Sequence, residues 1–392
     1  MRIAVVLSHL PLPEGSAAGR CAVAMIRGLR AQGHELRVLA ADSEGGAADV
    51  PPDLGAEIVA VSFEDKSPLD RVRRWTKPRT TLANGEFARR AIAISEGVDA
   101  VFLDEIDTAP LAPSLSAPAL VHLHCWARRD RELGKPWDPL TRDSWQLIRA
   151  DRRAAKRYPH LAGCSTQLVA DIRRAGAHDV QLVRLGLDPA FYKPGKPTKA
   201  PIAGLIGSAT WPPTRGAVTA LLADVWPRIH ATLPSAVLRL AGRGMTQESF
   251  PGYEHVEGVE WLGEVESASD FLRSLALQLY PVTNGSGTAI KVLESLFLGV
   301  PVVTTRDGLE GMSENDGVVV APGPDEVVKA ATELLSDPAG RRKRSKAAIA
   351  YANEHHSPAA VGAIFTTALR NISQRGRSTT ETSSRIGQST HK

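Results

Sequence analysis

The sequence predicts an α/β protein made of two successive domains, each built on a doubly wound parallel sheet. At 392 residues the chain is longer than one ordinary domain and suits two. Short apolar runs such as Ile3–Leu7 and Val300–Thr304, typical of strands buried on both faces, alternate with helical patterns. A proline-rich stretch at 188–201 separates an earlier series of such units from a later one, which indicates a linker between two domains.

The first domain is predicted to cover 1–187 and to open with a βαβ unit. The strand Ile3–Leu7 precedes a loop rich in proline and glycine. The stretch Cys21–Gln32 then places apolar side chains on one helical face, and Gly33 follows as the terminating residue. A strand at Leu36–Ala40 completes the unit, whose crossover we expect to be right-handed. Further strands are predicted at 57–62, 100–103, 120–124, 161–164 and 180–184, with helical segments at 127–157 and from Ser165 onward.

The second domain is predicted at 202–354 and repeats the alternation. Its strands are expected at 202–206, 236–241, 259–262, 277–280, 300–304 and 318–320, and its helices at 217–229, 288–298 and 325–335. A last amphipathic helix is predicted at 355–373, and the polar residues 374–392 are predicted to be disordered. Doubly wound sheets bind ligands at the carboxyl ends of their strands, so we expect the site there, in a cleft between the two domains.

Composition and charge narrow the range of functions. A net charge of +4 is too small for a dedicated nucleic-acid binder, although it favours anionic ligands such as phosphorylated substrates. Cys21, Cys125 and Cys164 lie far apart, so they form neither a disulfide framework nor a Cys-x-x-Cys metal motif, which favours a reducing cytoplasm. The sequence shows neither a signal peptide nor an apolar run of about 18 residues, so we expect no transmembrane helix.

A basic run with one tryptophan, Arg71–Arg79, is a candidate for contact with anionic lipid at the inner face of the membrane. The alternative is an ordinary solvated basic loop.

The segment Tyr280–Thr305 carries the clearest functional pattern. A strand is predicted to end where this segment begins, and the loop Asn284–Gly287 then presents backbone N–H groups that its glycines leave unobstructed. A helix predicted to begin at Thr288 directs its first amides and its positive dipole end into that loop, which makes an anion site. Lys291 and Glu294 share one helix face. Glu294 is placed to reach the hydroxyls of a ribose, and the alternative is a surface ion pair with Lys291.

Ordered motifs along nearly the whole chain resemble those of the family 4 glycosyltransferases, the retaining group with the GT-B fold. The segment 284–301 resembles their donor-site signature in its Gly-Ser-Gly-Thr…Lys-x-Leu-Glu form. Smaller matches are Gly33-His34-Glu35-Leu36, Ser165, Leu185-Gly186-Leu187-Asp188 with Phe191 and Pro194, Ile206-Gly207-Ser208 with Trp211 and Pro213, and Leu240-Ala241-Gly242-Arg243-Gly244. The resemblance implies two Rossmann-like domains that face each other across a cleft, with the C-terminal helix bracing the first. It also implies sugar transfer from a nucleoside-diphosphate donor with retention at the anomeric carbon.

The resemblance implies a set of donor contacts in the second domain. Glu294 matches the second of two glutamates that the family separates by seven residues, whereas Ser286 stands in the place of the first. The implied donor contacts are Gly207, Arg243, Gly285, Ser286, Gly287, Thr288, Ala289 and Glu294, and Lys291 and Arg215 are implied to stabilise the diphosphate. For Arg215 and Arg243 the alternative is a solvated surface arginine.

In the first domain the resemblance points to one loop and one strand end. Gly15 and Ser16 are implied to approach the donor diphosphate and the acceptor, and a simple turn is the alternative. His124 is implied to contact the transferred sugar. His122 lies on the same face of the strand, and we favour His124 because it is nearer the carboxyl end. A structural histidine is the alternative.

The predicted chemistry needs no metal ion and no cofactor. Glycosyl transfer passes through an oxocarbenium-like transition state and here releases a negatively charged diphosphate. Because the sequence contains no Asp-x-Asp motif, we expect the helix start, Lys291 and Arg215 to stabilise that charge. Two other hypotheses stay open: a sugar-nucleotide epimerase of the same fold, and a non-catalytic nucleotide-sugar-binding protein. The acceptor is a saccharide, a lipid or a small molecule.

Overall fold

The computed structural model describes residues 1–63, 79–131, 133–135, 139–195 and 198–389, and only the backbone at 139–140 and 376–389. The described residues divide into two compact units. The first contains 1–128, 133–186 and the C-terminal segment from 358, and the second contains 129–132 and 187–357. Of the basic run at Arg71–Arg79, all but Arg79 lies outside the described residues.

The first unit contains a seven-stranded sheet in which each neighbouring pair of strands is parallel. Its strands are β1 (Arg2–Leu7), β2 (Glu35–Asp42), β3 (Ala56–Ala60), β4 (Ala100–Asp104), β5 (Ala119–Leu123), β6 (Leu161–Gly163) and β7 (Val180–Leu182). Their spatial order is β3-β2-β1-β4-β5-β6-β7, so the order reverses between β1 and β4. In open α/β sheets that reversal opens a crevice at the carboxyl ends of the strands, where ligands bind.

The helices of this unit alternate with its strands along the chain. They are α1 (Ala17–Ala31), α2 (Gly85–Ile94), α3 (Ala127–Asp130, which ends in the second unit), α4 (Pro139–Arg157) and α5 (Thr166–Arg174). The Ser165 hydroxyl caps α5 by accepting from the Leu168 N–H at 3.0 Å. Gly33 follows α1 with a φ of 77°, a left-handed conformation that suits a residue without a Cβ.

The second unit contains a six-stranded parallel sheet with the same kind of reversal. Its strands are β8 (Ile202–Ile206), β9 (Val237–Ala241), β10 (Val259–Gly263), β11 (Leu277–Tyr280), β12 (Val302–Thr304) and β13 (Val318–Val320). Their order is β10-β9-β8-β11-β12-β13, so the reversal lies between β8 and β11. The helices are α6 (Pro212–Ala220), α7 (Trp226–Thr232), α8 (Ala268–Arg273), α9 (Ile290–Leu298), α10 (Pro324–Ser336) and α11 (Pro338–His356).

Several element boundaries differ from the predicted ones. The helix predicted at 217–229 begins at Pro212, because proline is well suited to the first turn, and it runs through a π-helical turn at Leu221–Val225 into α7. Helix α9 begins at Ile290, two residues after the predicted start at Thr288, because Ala289 still has a non-helical ψ of 87°. The sequence also missed α2, α8 and α11 entirely.

The last helix, α12 (Pro358–Ser389), belongs to the first unit and packs against α1. A Cβ placed on Gly28 of α1 would collide with the Pro358 carbonyl, and it would lie 3.0 Å from the Gly362 Cα. The sequence predicted that this helix would end at 373, before a disordered tail. No proline follows Pro358, so no residue forbids the longer helix. Among the described residues, no helix is both long enough and apolar enough to span a membrane.

Candidate functional site

The predicted anion site lies at the reversal point of the second sheet, where β8 and β11 end. The loop between β11 and α9 contains Gly285, Ser286 and Gly287, as predicted, and it also contains Thr288 and Ala289, which the sequence placed in the helix. Ala289 is the N-cap residue of α9, and its carbonyl accepts from the N–H groups of the first turn. The positive end of α9 therefore lies two residues beyond the predicted position, still at this sheet edge.

Lys291 is held by three groups at this edge. Its Nζ donates to the Thr214 hydroxyl at 2.7 Å and lies 4.5 Å from the centre of the Tyr280 ring. It also lies against Gly207, where an added Cβ would come within 3.0 Å of it. Burial lowers the pKa of Lys291 from 10.5 to about 8, against the opposing effect of Glu294. The structure thus brings Gly207 and the half-buried Lys291 together at the strand ends.

Glu294 lies one turn further along α9, and its side chain is buried. Its Oε1 accepts from the Tyr192 hydroxyl at 3.1 Å, and the Tyr192 ring packs against Phe297 with ring centres 5.9 Å apart. The burial of Glu294 contradicts the alternative of a surface ion pair with Lys291, whose ammonium bonds to Thr214 instead. Glu294 is therefore a positioned carboxylate rather than a solvated one.

A second buried carboxylate anchors the glycine-containing loop. Asp130 accepts from the Ser286 backbone N–H at 2.8 Å and from the Ser286 hydroxyl at 2.5 Å. Both side chains are at most 3% exposed. The flanking residue Arg131 lies over the Trp211 ring at 5.1 Å. Both the backbone N–H and the hydroxyl of Ser286 thus bond to Asp130. A direct contact of Ser286 with the donor, as predicted, would compete with these two bonds.

Of the two predicted arginines, Arg215 has contacts away from Lys291. Arg215 is exposed, donates to the Ser249 carbonyl at 2.7 Å and lies over the Phe250 ring at 4.8 Å. Arg243 is exposed as well. The structure therefore does not bring Arg215 to Lys291; the neighbouring residue of α6, Thr214, makes that contact.

In the first unit, Gly15 and Ser16 have local structural roles. The Ser16 hydroxyl caps α1 by accepting from the Gly19 N–H at 3.1 Å. Gly15 packs closely on Leu12, where an added Cβ would lie 2.7 Å from the Leu12 Cβ. These contacts shape the loop after β1, and they do not test its predicted approach to a donor.

His124 stands at the carboxyl end of β5 in a network of ionisable side chains. Its Nε2 lies 3.0 Å from Asp104 Oδ1, and its Nδ1 lies 3.0 Å from Glu105 Oε1. His122 is fully buried, and its Nε2 donates to the Val183 carbonyl at 2.8 Å. Of the two histidines, His124 is the one nearer the surface, with a side chain 10% exposed.

The two histidines have opposite charge preferences. Burial lowers the pKa of His122 to about 3, and the neighbouring charge of His124 acts in the same direction. Burial also opposes the charge on His124, but Glu105 and Asp104 outweigh it and raise the pKa of His124 well above its ordinary value. The surroundings of His122 therefore favour its neutral form, while the two carboxylates favour the protonated form of His124.

Comparison with known families decides what these two units are. Residues 16–188 match the family model described as a glycosyl transferase 4-like domain, and residues 200–337 match the model described as glycosyl transferases group 1. The chain belongs to the family 4 glycosyltransferases. No curated protein sequence matches this glycosyltransferase significantly.

Solved structures of similar fold show that the glycosyltransferase has the GT-B architecture. HepE from Anabaena, solved in complex with UDP and glucose, is 13% identical with a TM-score of 0.64, over 94% of this chain and 99% of that one. Sucrose-phosphate synthase from Thermosynechococcus elongatus is 15% identical with a TM-score of 0.65, over 95% and 99%. A TarM mutant from S. aureus, in complex with fondaparinux, alpha-GlcNAc-glycerol and UDP, is 9% identical with a TM-score of 0.65, over 94% and 100%.

Sequence reasoning missed three side chains that position the site: Thr214, Tyr192 and Asp130. The partners of Lys291, Glu294 and Ser286 lie 77, 102 and 156 residues away along the chain. The spacing of neighbouring residues cannot reveal contacts over such distances along the chain. The sequence offered one clue, a serine at 286 whose hydroxyl could donate to a carboxylate elsewhere in the chain.

Proposed function

We propose that this glycosyltransferase moves a sugar from a uridine-diphosphate sugar to a hydroxyl of a saccharide, lipid or small molecule, with retention and without a metal ion. The position of Lys291 carries the proposal: a partly desolvated ammonium at the positive end of α9, one turn before the buried carboxylate of Glu294. Uridine is proposed because HepE and TarM were each solved with UDP.

The proposed chemistry assigns the leaving diphosphate to Lys291 and to the first amides of α9. As the glycosidic bond breaks, negative charge grows on the β-phosphate oxygens, and fixed donors at that point lower the barrier. One such donor is commonly worth about 2.7–4 kcal/mol. An ammonium and a helix start thus take the role that a divalent ion plays in metal-dependent transferases.

The proposed role of Glu294 is to accept hydrogen bonds from the ribose hydroxyls. The Tyr192 hydroxyl fixes one carboxylate oxygen, so the carboxylate keeps one orientation before the ligand arrives. His124 is proposed as the contact for the transferred sugar. Because two carboxylates hold it as an imidazolium, it would contribute a charged hydrogen-bond donor and not a general base.

A thermal-unfolding screen in EDTA tests the donor class. The wild type is compared with Glu294→Gln in the presence of UDP, GDP, ADP or dTDP, and Glu333→Gln, an exposed residue of α10, is the matched control. A ligand present at 100 times its Kd adds about 2.7 kcal/mol of stability. We expect UDP to stabilise the wild type and Glu333→Gln, and we expect Glu294→Gln to bind UDP at least about tenfold more weakly.

Product analysis then separates the activities. Incubation with a UDP-sugar and an acceptor mixture should give an α-linked product from an α-linked donor. Formation of a C2-epimeric sugar nucleotide without acceptor would identify the epimerase instead. Binding without transfer or hydrolysis would identify a non-catalytic binding protein. Stabilisation by no nucleotide would refute the donor site at 285–294.

A further inference from the structure

Three histidines and one aspartate meet at the reversal point of the first sheet. His9 follows β1, Asp104 ends β4, and His122 and His124 lie at the end of β5. We call these four residues the strand-end cluster. All are types that ligate metals, and the ligand atoms of Asp104, His122 and His124 lie within 4.8 Å of one another.

The spacing of the ligand atoms fits a tetrahedral ion. Asp104 Oδ1 lies 3.0 Å from His124 Nε2, which lies 3.3 Å from His122 Nδ1. Zinc–nitrogen and zinc–oxygen bonds of about 2.0–2.2 Å place neighbouring ligand atoms of a tetrahedral site about 3.3–3.6 Å apart. The ligand atoms of the remaining pair, Asp104 and His122, lie within 4.8 Å of each other, so these two side chains would move closer together around one ion.

In each histidine of the cluster, the ring nitrogen that faces away from the proposed ion has a polar partner of its own. His122 Nε2 donates to the Val183 carbonyl at 2.8 Å, and His124 Nδ1 faces the Glu105 carboxylate at 3.0 Å. His9 Nδ1 lies 3.0 Å from the Ser8 hydroxyl. Metal-binding imidazoles are oriented in this way, by a carboxylate, a carbonyl or another polar group on the nitrogen away from the ion.

Two buried atoms of the cluster lack hydrogen bonds. Asp104 Oδ2 and His9 Nε2 are each inaccessible to solvent and lie 3.3 Å apart, at ion-pair distance, but neither atom makes a hydrogen bond. Buried polar atoms are normally satisfied, so this pair calls for an explanation. An ion bound by both oxygens of Asp104 would bring His9 Nε2 in as a further ligand and would give both atoms a partner.

We propose that the strand-end cluster binds one divalent ion of the zinc class. Two or three imidazoles with one carboxylate suit Zn²⁺, and also Co²⁺, whereas Mg²⁺ and Ca²⁺ prefer sites made of oxygen atoms. Binding releases to solvent the proton that His124 Nε2 directs at Asp104 Oδ1, whereas His122 Nδ1 carries none, because His122 donates through Nε2. The site does not depend on the proposed donor chemistry. Inhibition of transfer by bound zinc, through His124, is an added consequence that rests on the proposed function.

Direct metal binding tests the proposal on the tag-free full chain. The protein is stripped with EDTA, dialysed and titrated with Co²⁺, whose visible absorption reports tetrahedral coordination, and then with Zn²⁺ in competition with a chromophoric chelator. We expect one ion per chain for the wild type. Asp104→Asn, which preserves shape, and His9→Gln should each weaken binding at least about tenfold.

A matched control separates this site from other histidine–carboxylate pairs. His160 lies 3.0 Å from Asp179 in the same unit, and the described part of the chain offers this pair no third ligand, so His160→Gln should bind metal as the wild type does. Glu105→Gln, which removes only the support behind His124, should weaken binding by about 10–100-fold. Circular dichroism and thermal unfolding in EDTA establish that each variant is folded.

Three results would overturn the proposal. They are no Co²⁺ absorption, affinity unchanged in folded Asp104→Asn, or an equal loss of affinity in His160→Gln. None of these readouts involves UDP or transfer, so failure of the metal site and failure of the donor site are distinguishable.

Discussion

The charge state of Lys291 affects both the stability of the protein and the binding of an anion at this site. Its pKa of about 8 lies below the ordinary value of 10.5, so the unfolded chain binds more protons than the folded one between these values. The contribution of Lys291 to stability therefore rises with pH across that window. Its contribution to anion binding changes in the opposite direction, because deprotonation removes the positive charge.

We predict that UDP affinity falls as the pH rises above about 8, by up to about tenfold per unit. Isothermal titration calorimetry at several pH values measures the slope. Lys291→Arg keeps its charge throughout this range, so its slope should be nearly flat. An equal slope in Lys291→Arg would show that another group controls binding.

Tyr192 is predicted to act on UDP binding through Glu294. Tyr192→Phe keeps the packing on Phe297 and removes only the hydrogen bond to the buried carboxylate. A hydrogen bond to a charged group is worth about 1.5–3 kcal/mol, so we expect UDP to bind about tenfold more weakly or worse. The control is Tyr158→Phe, a buried tyrosine of the first unit. Unchanged UDP affinity in Tyr192→Phe would mean that Glu294 needs no such support.

For single residues, the sequence could predict which side chains share one face of a helix and little more. The spacing of Lys291 and Glu294 placed both on one face of α9, as the structure has them. The direction of each side chain depends on Thr214 and Tyr192, which arrive from other elements. For the same reason the direction of Arg215 was not predictable, since the loop at Gln247–Ser249 supplies its partner.

At the scale of elements, the loop before α9 is shaped by a contact from far along the chain. The sequence placed the helix start at Thr288, directly after the glycine-containing loop. The structure anchors the preceding backbone on Asp130 instead, and the helix begins at Ile290. A pattern of nearby residues cannot reveal an anchor 156 positions away.

The anchor itself is testable with a double-mutant cycle. Asp130→Ala leaves the buried Ser286 amide without this acceptor, and Ser286→Ala removes one of the two bonds. We expect Asp130→Ala to lower the free energy of unfolding of the second unit by about 1.5–3 kcal/mol, and to weaken UDP binding. The double variant should lose less than the sum of the single losses, as measured by urea unfolding. Strict additivity would contradict a direct coupling.

The contact between α1 and α12 gives a prediction for the first unit. Gly28→Ala would push a methyl group into the Pro358 carbonyl and Gly362, so we expect a loss of about 1–3 kcal/mol in its free energy of unfolding. Gly216→Ala is the matched control, since no atom lies within 4 Å of a Cβ at this helical position. Alanine there should stabilise by about 0.4–1 kcal/mol. If calorimetry gave the two substitutions equal changes in the free energy of unfolding, α1 and α12 would accommodate the added methyl group without loss of stability.

At the scale of the whole molecule, alternation of buried strands and helices made the fold class predictable. Ile3–Leu7 and Leu277–Tyr280 are buried along their whole length, as apolar runs in parallel sheets should be. The sequence missed the 19-residue helix α11 because lysines and arginines occupy every face of its first turns, so no apolar stripe is visible in the pattern. One of these, Arg341, is buried and donates to the carbonyls of Leu334 and Leu335, a role that composition cannot show.

The C-terminal helix completes the first unit, and its removal should unfold that unit alone. Phe365 packs against Phe102 and His122, with ring centres 5.3 and 5.5 Å apart. With Val361, Leu369 and Ile372 it forms a row at most 1% exposed. Burial of four such side chains is worth about 6–12 kcal/mol, which is comparable with the whole stability of a domain.

Two truncations make the comparison. A chain ending at Ser357 loses the row, whereas a chain ending at Arg375 keeps it together with the Arg375–Asp179 ion pair. Limited proteolysis of the shorter chain should digest residues 1–186 and leave a resistant fragment close to 187–357. The longer chain should unfold at the temperature of the full protein. If the shorter chain resisted proteolysis throughout, α12 would be an accessory to a first unit that is already stable. If both units were digested, the second unit would need the first in order to fold.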